Sequence, residues 1–265
     1  MPIRHTFSSE ELVLYERVAA LTLKSARPLI WHDVRAPWPK RLLGGTCFIL
    51  RFDAGLIGVT AAHVVEAFEE VVRRNPNVVS LLRTVCFDLT SALIDRDESL
   101  DIATFSVTED QLIESEAMAI DCRSQWPPPA PDRGRELSVG GFPEELVKPS
   151  VHDHIGFRGY VSMTRVEDIT ERDIICTYEP ERDFRIVAAP EFPNLGANLS
   201  GCSGGPVLMH VERNGLYRWF PAGVVVRGPR ASESAVPREY DMYQFRRIHF
   251  VEADGSLRRQ RGWLP

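Results

Sequence analysis

Cysteine is scarce in this chain. Five thiols, Cys47, Cys86, Cys122, Cys176 and Cys202, are scattered over 265 residues with no Cys-x-x-Cys pair. That excludes a disulfide-dense secreted scaffold and a zinc ribbon. No stretch approaches the ~18 consecutive apolar residues of a membrane span, and mean hydropathy is −0.16. Positive charge is not in excess: 31 Lys and Arg stand against 37 Asp and Glu, a net charge of −6. Such a chain offers no basic surface to phosphates, which argues against nucleic acid as a partner. The opening residues, MPIRHTFSSEELVLYERV, contain no apolar core of a secretory signal. No internal repeat is present. What remains is average: 44% hydrophobic and 26% charged residues, enough for a sizeable core. The expectation is a cytoplasmic globular protein with reduced thiols and no membrane partner.

The first periodic segment is helical. Ser8 and Glu11 fit a capping box, and Leu12, Tyr15, Ala19 and Leu23 follow at helical spacing until Pro28. From Leu29 to Val107 the texture is β, with short apolar runs such as Thr46–Phe52, Leu56–Thr60 and Ile102–Val107 broken by Gly, Asp and Pro. A helix-permissive stretch leads to Trp126-Pro127-Pro128-Pro129-Ala130-Pro131, which reads as a stiff connection because proline can join neither a ladder nor a helix interior. A second β stretch follows, with Asn214-Gly215 as a hairpin turn. The expected organisation is a helical extension over 1–28, a β unit over 29–108, a Pro-rich linker over 109–132, a second β unit over 133–251 and a polar tail over 252–265.

Three segments carry chemistry. In Ser200-Gly201-Cys202-Ser203-Gly204-Gly205-Pro206 a serine stands on a glycine-rich turn. Gly201 can adopt a conformation barred to other residues, so that the amides of Gly201 and Ser203 could converge on one point, as an oxyanion hole requires. A serine hydroxyl needs a base, and an imidazole has a suitable pKa. His63, in Thr60-Ala61-Ala62-His63, ends an apolar strand-like run beside small side chains. The base needs an orienting carboxylate, and Asp101 opens the run Ile102–Val107.

Thr60-Ala61-Ala62-His63, Asp101-Ile102-Ala103 and Gly201-Cys202-Ser203-Gly204-Gly205-Pro206, in that order between about Leu29 and Val251, resemble the motifs of the chymotrypsin-like (trypsin-like) serine protease family. The resemblance implies an all-β fold of two six-stranded antiparallel barrels, with a catalytic cleft between them and the N-terminal helix outside. It implies Ser203 as nucleophile, His63 as general acid–base and Asp101 as orienter, with no cofactor and no metal. It further implies that Val226, Arg227 and Gly228 pair with substrate backbone, and that Ala197 and Asn198 lie at the base of the specificity pocket. Ala197 carries no charge, which suggests a small or medium apolar residue at the cleavage position.

The chain also departs from secreted members of that family. Val64 stands where they have a cysteine after the histidine, and Cys202 stands where digestive members have an aspartate before the serine. Activation through that aspartate is excluded here, and the resemblance is to the intracellular, bacterial-style branch. The expected activity is a serine endopeptidase acting on few protein or peptide substrates, with a regulatory partner or the helix itself as gate. The alternative is a catalytically idle or latent fold of the same kind that binds peptides. Gly201–Gly205 also satisfies the G-x-S-x-G of an α/β-hydrolase esterase, but Pro206 and a following strand do not suit that fold. Cys202 reads as a small buried filler, with oxidation beside the nucleophile as the sharper reading. His152 and His154 read as surface polar residues.

Overall fold

The structure is a computed structural model that describes residues 9–38, 41–149, 155–177, 199–213, 216–228 and 242–259. Helix α1 (Ser9–Ser25) runs without a break into β1 (Ala26–Asp33). Then come β2 (Leu43–Phe52), β3 (Gly55–Thr60), helix α2 (Ala62–Arg74), β4 (Val78–Leu82), β5 (Val85–Cys86), the short α3 (Leu89–Ala92), β6 (Leu93–Asp97) and β7 (Ile102–Val107). The connection carries α4 (Glu109–Glu114) and β8 (Ile120–Asp121). The second half holds β9 (Glu136–Gly141), β10 (Val147–Pro149), β11 (Ile155–Phe157), β12 (Tyr160–Ile169), β13 (Asp173–Thr177), β14 (Pro206–Arg213), β15 (Leu216–Arg227) and β16 (Met242–Arg247).

The second half contains a closed antiparallel barrel of six strands, β12-β13-β16-β15-β14-β9. Its interior is filled by alternate residues, among them Leu137, Tyr160, Ile174, Val207, Tyr243 and Phe245. The first half differs from the six-stranded barrel expected there. It is an eight-stranded sheet of order β5-β4-β1-β2-β3-β7-β6, with β8 added parallel to β2, and no ladder joins β5 to β6 among the described residues. The C-terminal segment lies against β6 instead. Asp95 accepts from the Leu257 amide at 2.8 Å, and Arg259 donates to Asp95 and Asp97 at 2.9 Å each. Residues 252–259, read from sequence as the start of a polar tail, are thus packed on the first half, with Leu257 buried.

The β texture read over 29–107 also hid α2. Val64, Val65 and Phe68 are its buried face, packed with Trp31, Ile49 and Phe105 in the core of the first half. A third apolar cluster joins the halves, bringing Phe48, Leu50 and Ile102 against Leu208, Val224 and Phe250. The proline-rich connection is docked as well: Trp126 meets Phe52 edge-on at 4.9 Å and donates its indole N–H to Val251 O at 3.0 Å.

On α1 the buried positions are Val18, Ala19, Thr22 and Ser25: Ala19 belongs to the stripe expected from sequence, and Thr22 and Ser25 add a polar seat beside it. Thr22 Oγ1 lies 2.8 Å from Ser138 Oγ on β9, and Ser138 Oγ lies 2.7 Å from His210 Nε2 on β14. Burial pushes His210 from 6.5 down to about 4. In that interval the unfolded chain binds the proton and the folded one does not, so stability falls as pH drops through it. The full window is worth roughly 3 kcal/mol. Urea melts of wild type and His210→Gln at pH 7 and pH ~4.5 measure this, and the variant should lose distinctly less stability on acidification.

Candidate active site

Strand β3 ends at Thr60, and His63 lies in the first turn of α2 rather than at a strand end. The N-cap residue is Ala61, which has no side-chain oxygen to satisfy the free amides of that turn. Asp101 does so from a distance in sequence: its Oδ1 accepts from the His63 backbone N–H at 3.0 Å. The same carboxylate lies 2.9 and 3.0 Å from His63 Nδ1. An ionised carboxylate only accepts, so Nδ1 carries the proton and Nε2 is left as the base. A negative group at a helix N-terminus is also well placed against the helix dipole.

Asp101 is held in the left-handed region at φ 53°, a conformation that Asp tolerates better than most residues but that still stores strain. The turn before it is tied down. Asp97 Oδ1 accepts from Leu100 N and Ser99 Oγ, both at 2.8 Å. Arg172, from the second half, donates to Ser99 O. The Asp101 side chain is 24% exposed and that of His63 is 45% exposed, so the pair is open to solvent.

Ser203 sits in the turn before β14. Leu199–Cys202 form a tight turn closed by Cys202 N to Leu199 O at 3.0 Å, with Gly201 at φ 97° in its third position. Only glycine enters that region freely. The Ser200 carbonyl accepts from Glu144 N at 2.7 Å, and the Cys202 carbonyl accepts from Gly205 N at 2.9 Å. In a trans peptide the N–H points opposite to the C=O. Fixing those two carbonyls therefore turns the amides of Gly201 and Ser203 the other way. Among the described residues neither amide has a hydrogen-bond acceptor.

The serine turn is packed against the histidine segment. A Cβ on Gly204 would lie 2.1 Å from Thr46 O, 2.2 Å from Thr60 Oγ1 and 2.9 Å from Ala61 N. Thr46 N donates to Ser203 O at 2.9 Å, and Thr46 Oγ1 donates to Gly201 O at 2.6 Å while accepting from Phe142 N at 2.9 Å. Thr46 is a site residue that sequence reasoning missed. Its signal was Gly44-Gly45 before it, since paired glycines in an apolar strand mark close backbone approach. The structure thus joins His63 to Asp101 directly and sets the Ser203 turn against the segment preceding His63. Among the described residues no hydrogen bond links Ser203 Oγ to His63.

Strand β15 reaches the same place. Gly204 N donates to Val225 O at 2.7 Å, and Val225 N donates to Gly205 O at 3.0 Å. Pairing of β15 with β14 begins at Val224↔Pro206, so Val226, Arg227 and Gly228 have an edge beside the serine turn with no strand on it among the described residues. Ala197, Asn198, His152, His154 and Asn214-Gly215 lie outside the described residues. Cys202 is buried, and burial pushes its thiol well up, which keeps it protonated and unreactive. None of the five cysteines is in a disulfide. Among the described residues no cluster of His, Cys, Asp and Glu could hold a metal, and no helix is long and apolar enough to cross a membrane. A cavity of about 480 Å³ lies elsewhere, between α1 and the barrel, with Tyr15, Val18, Met163, His210 and Tyr217 in its wall.

No family model and no curated protein matches the chain. A solved structure from work on how aromatic interactions drive coupled folding and binding of the intrinsically disordered Sesbania mosaic virus VPg protein matches at 10% identity, with a TM-score of 0.40. That alignment covers 85% of this chain and 93% of the other. At such a score the likeness carries no reading of function.

Proposed function

We propose that this chain is a serine endopeptidase of the chymotrypsin-like kind, with the cleft between its two β halves as the active site. One observation carries the reading: the Asp101–His63 pair leaves Nε2 as a base beside a serine turn whose two amides point away from their fixed carbonyls. A peptide would lie extended along Val226–Gly228 as an added strand. His63 Nε2 takes the Ser203 proton as Oγ attacks the scissile carbonyl. Gly201 N–H and Ser203 N–H hold the oxyanion, and Asp101 stabilises the imidazolium. His63 then protonates the leaving amine, and water repeats the sequence on the acyl-enzyme. These steps use side chains and amides of the chain itself. Thiols outside any disulfide, four of the five buried, suit a reducing compartment such as the cytoplasm, where a protease needs few substrates or a controlling partner.

A latent form is the second reading, favoured by the absence of a Ser203–His63 hydrogen bond among the described residues. Substrate-induced tightening of such contacts is common. A peptide library read by mass spectrometry separates the two readings. The active enzyme should cut a narrow set of sequences, and Ser203→Ala should abolish every cut while melting like wild type. No cleavage by folded wild type would leave a peptide-binding module.

A further inference from the structure

The N-terminal helix touches the machinery that aims the oxyanion amides. Thr22, fully buried, rests on β9, where a Cβ on Gly140 would come within 2.7 Å of Thr22 Cγ2. On the far side of the same strand, Gly140 O abuts Gly205, and Gly141 abuts Cys202; added Cβ atoms would approach to 2.0 and 2.8 Å. Leu23 fills the space at Gly159 next to Phe142. Phe142 and Glu144 continue directly from β9 and donate to Thr46 Oγ1 and Ser200 O. The other end of the segment reaches the turn too, since β1 pairs Pro28 with Thr46, the residue bonded to both Gly201 and Ser203.

The hydroxyls on this path have fixed roles. Thr22 spends its proton on Val18 O at 2.9 Å, so it can only accept from Ser138. Ser138, having donated, can only accept from His210 Nε2–H. Each polar group therefore locks the next in one direction, and the helix is seated on β9 in one register. The contact is neutral and built into the chain.

Resting on the protease reading, we propose that Thr22 is a positioning residue: by seating α1 on β9, it holds the 199–205 turn with its amides aimed for catalysis. Thr22→Val keeps the shape and removes the hydroxyl. Gly140→Ala keeps both hydroxyls and pushes the helix away from the strand. The probe is an aryl fluorophosphonate, whose reaction with a serine also develops charge on an oxygen; saturation of the labelling rate separates the binding constant from the chemical rate constant. Thr22→Val and Gly140→Ala should each lower the chemical rate constant about tenfold, with binding within about twofold, and Thr22→Ser should restore the wild-type rate constant. A folded variant of either kind that reacts at the wild-type rate overturns the proposal. So does failure of both variants to fold, which would make the helix a stability element only. Wild type that does not label at all would instead remove the protease reading itself.

Discussion

Asp101→Asn should lower kcat by about 10⁴ on any peptide the wild type cleaves, with little change in KM. The asparagine oxygen can still accept from the His63 backbone N–H, so the first turn of α2 keeps its cap, now 3.0 Å away in the native chain. The amide group then falls opposite Nδ1, where the carboxylate oxygen now stands at 2.9 Å. Two donors cannot face each other, so Nδ1 becomes the acceptor and Nε2 takes the proton. The base is lost although the side chains keep their places. A cooperative melt within about 1 kcal/mol of wild type, together with steady-state kinetics, checks both halves of this expectation. A kcat within tenfold of wild type would show that Asp101 serves the helix and not the imidazole.

Gly204→Ala should be the most damaging change of a single atom. Gly204 has φ 84°, so any L-residue there is strained by about 1–2 kcal/mol. Its added carbon would also strike Thr46 O at 2.1 Å and the start of α2 at Ala61 N. Both are backbone atoms and neither can swing aside. Overpacking of that kind adds a further 1–3 kcal/mol, for a total of about 3 kcal/mol and a Tm lower by roughly 5–10 °C. Relief can come only by parting the serine turn from the histidine segment, so activity should fall even at temperatures where the variant stays folded. Calorimetry and fluorophosphonate labelling at 20 °C measure the two effects. Unchanged labelling would mean that the turn and α2 need not stay in contact.

The segments around His63, Asp101 and Ser203 stand out in the sequence because each couples a chemically able residue to a backbone demand. Glycines flank Ser203 because positive φ is needed at 201 and 204, and that need is visible as composition. In the second half the strands and turns were legible from the residues, while their closure into a barrel came only as what the family resemblance implied. Helix α2 was not legible, although Val64, Val65, Phe68, Val71 and Val72 follow a helical period, because a run of β-branched residues invites a strand reading. The first half was expected to close into a six-stranded barrel, and instead no ladder joins β5 to β6 among the described residues. What meets β6 is Leu257 and Arg259, more than 150 residues away in sequence, and no local pattern could show that. Thr46 was hidden for a related reason. Its importance comes from bonds to Gly201, Ser203 and Phe142; Gly44-Gly45 marks a close backbone approach there but does not say to which distant segment. On α1 the apolar stripe was read in part: Ala19 is buried and Leu23 packs at Gly159, but the two polar residues Thr22 and Ser25, both fully buried, were not expected in the seat.

The central claim is that the Ser203 hydroxyl is made reactive by His63. The most direct measurement is incubation of the folded chain with an aryl fluorophosphonate, followed by peptide mapping in a mass spectrometer. One adduct is expected, on Ser203, and it should be absent or slowed by several orders of magnitude in His63→Ala. An unlabelled Ser203 in folded wild type, or equal labelling in His63→Ala, would contradict it.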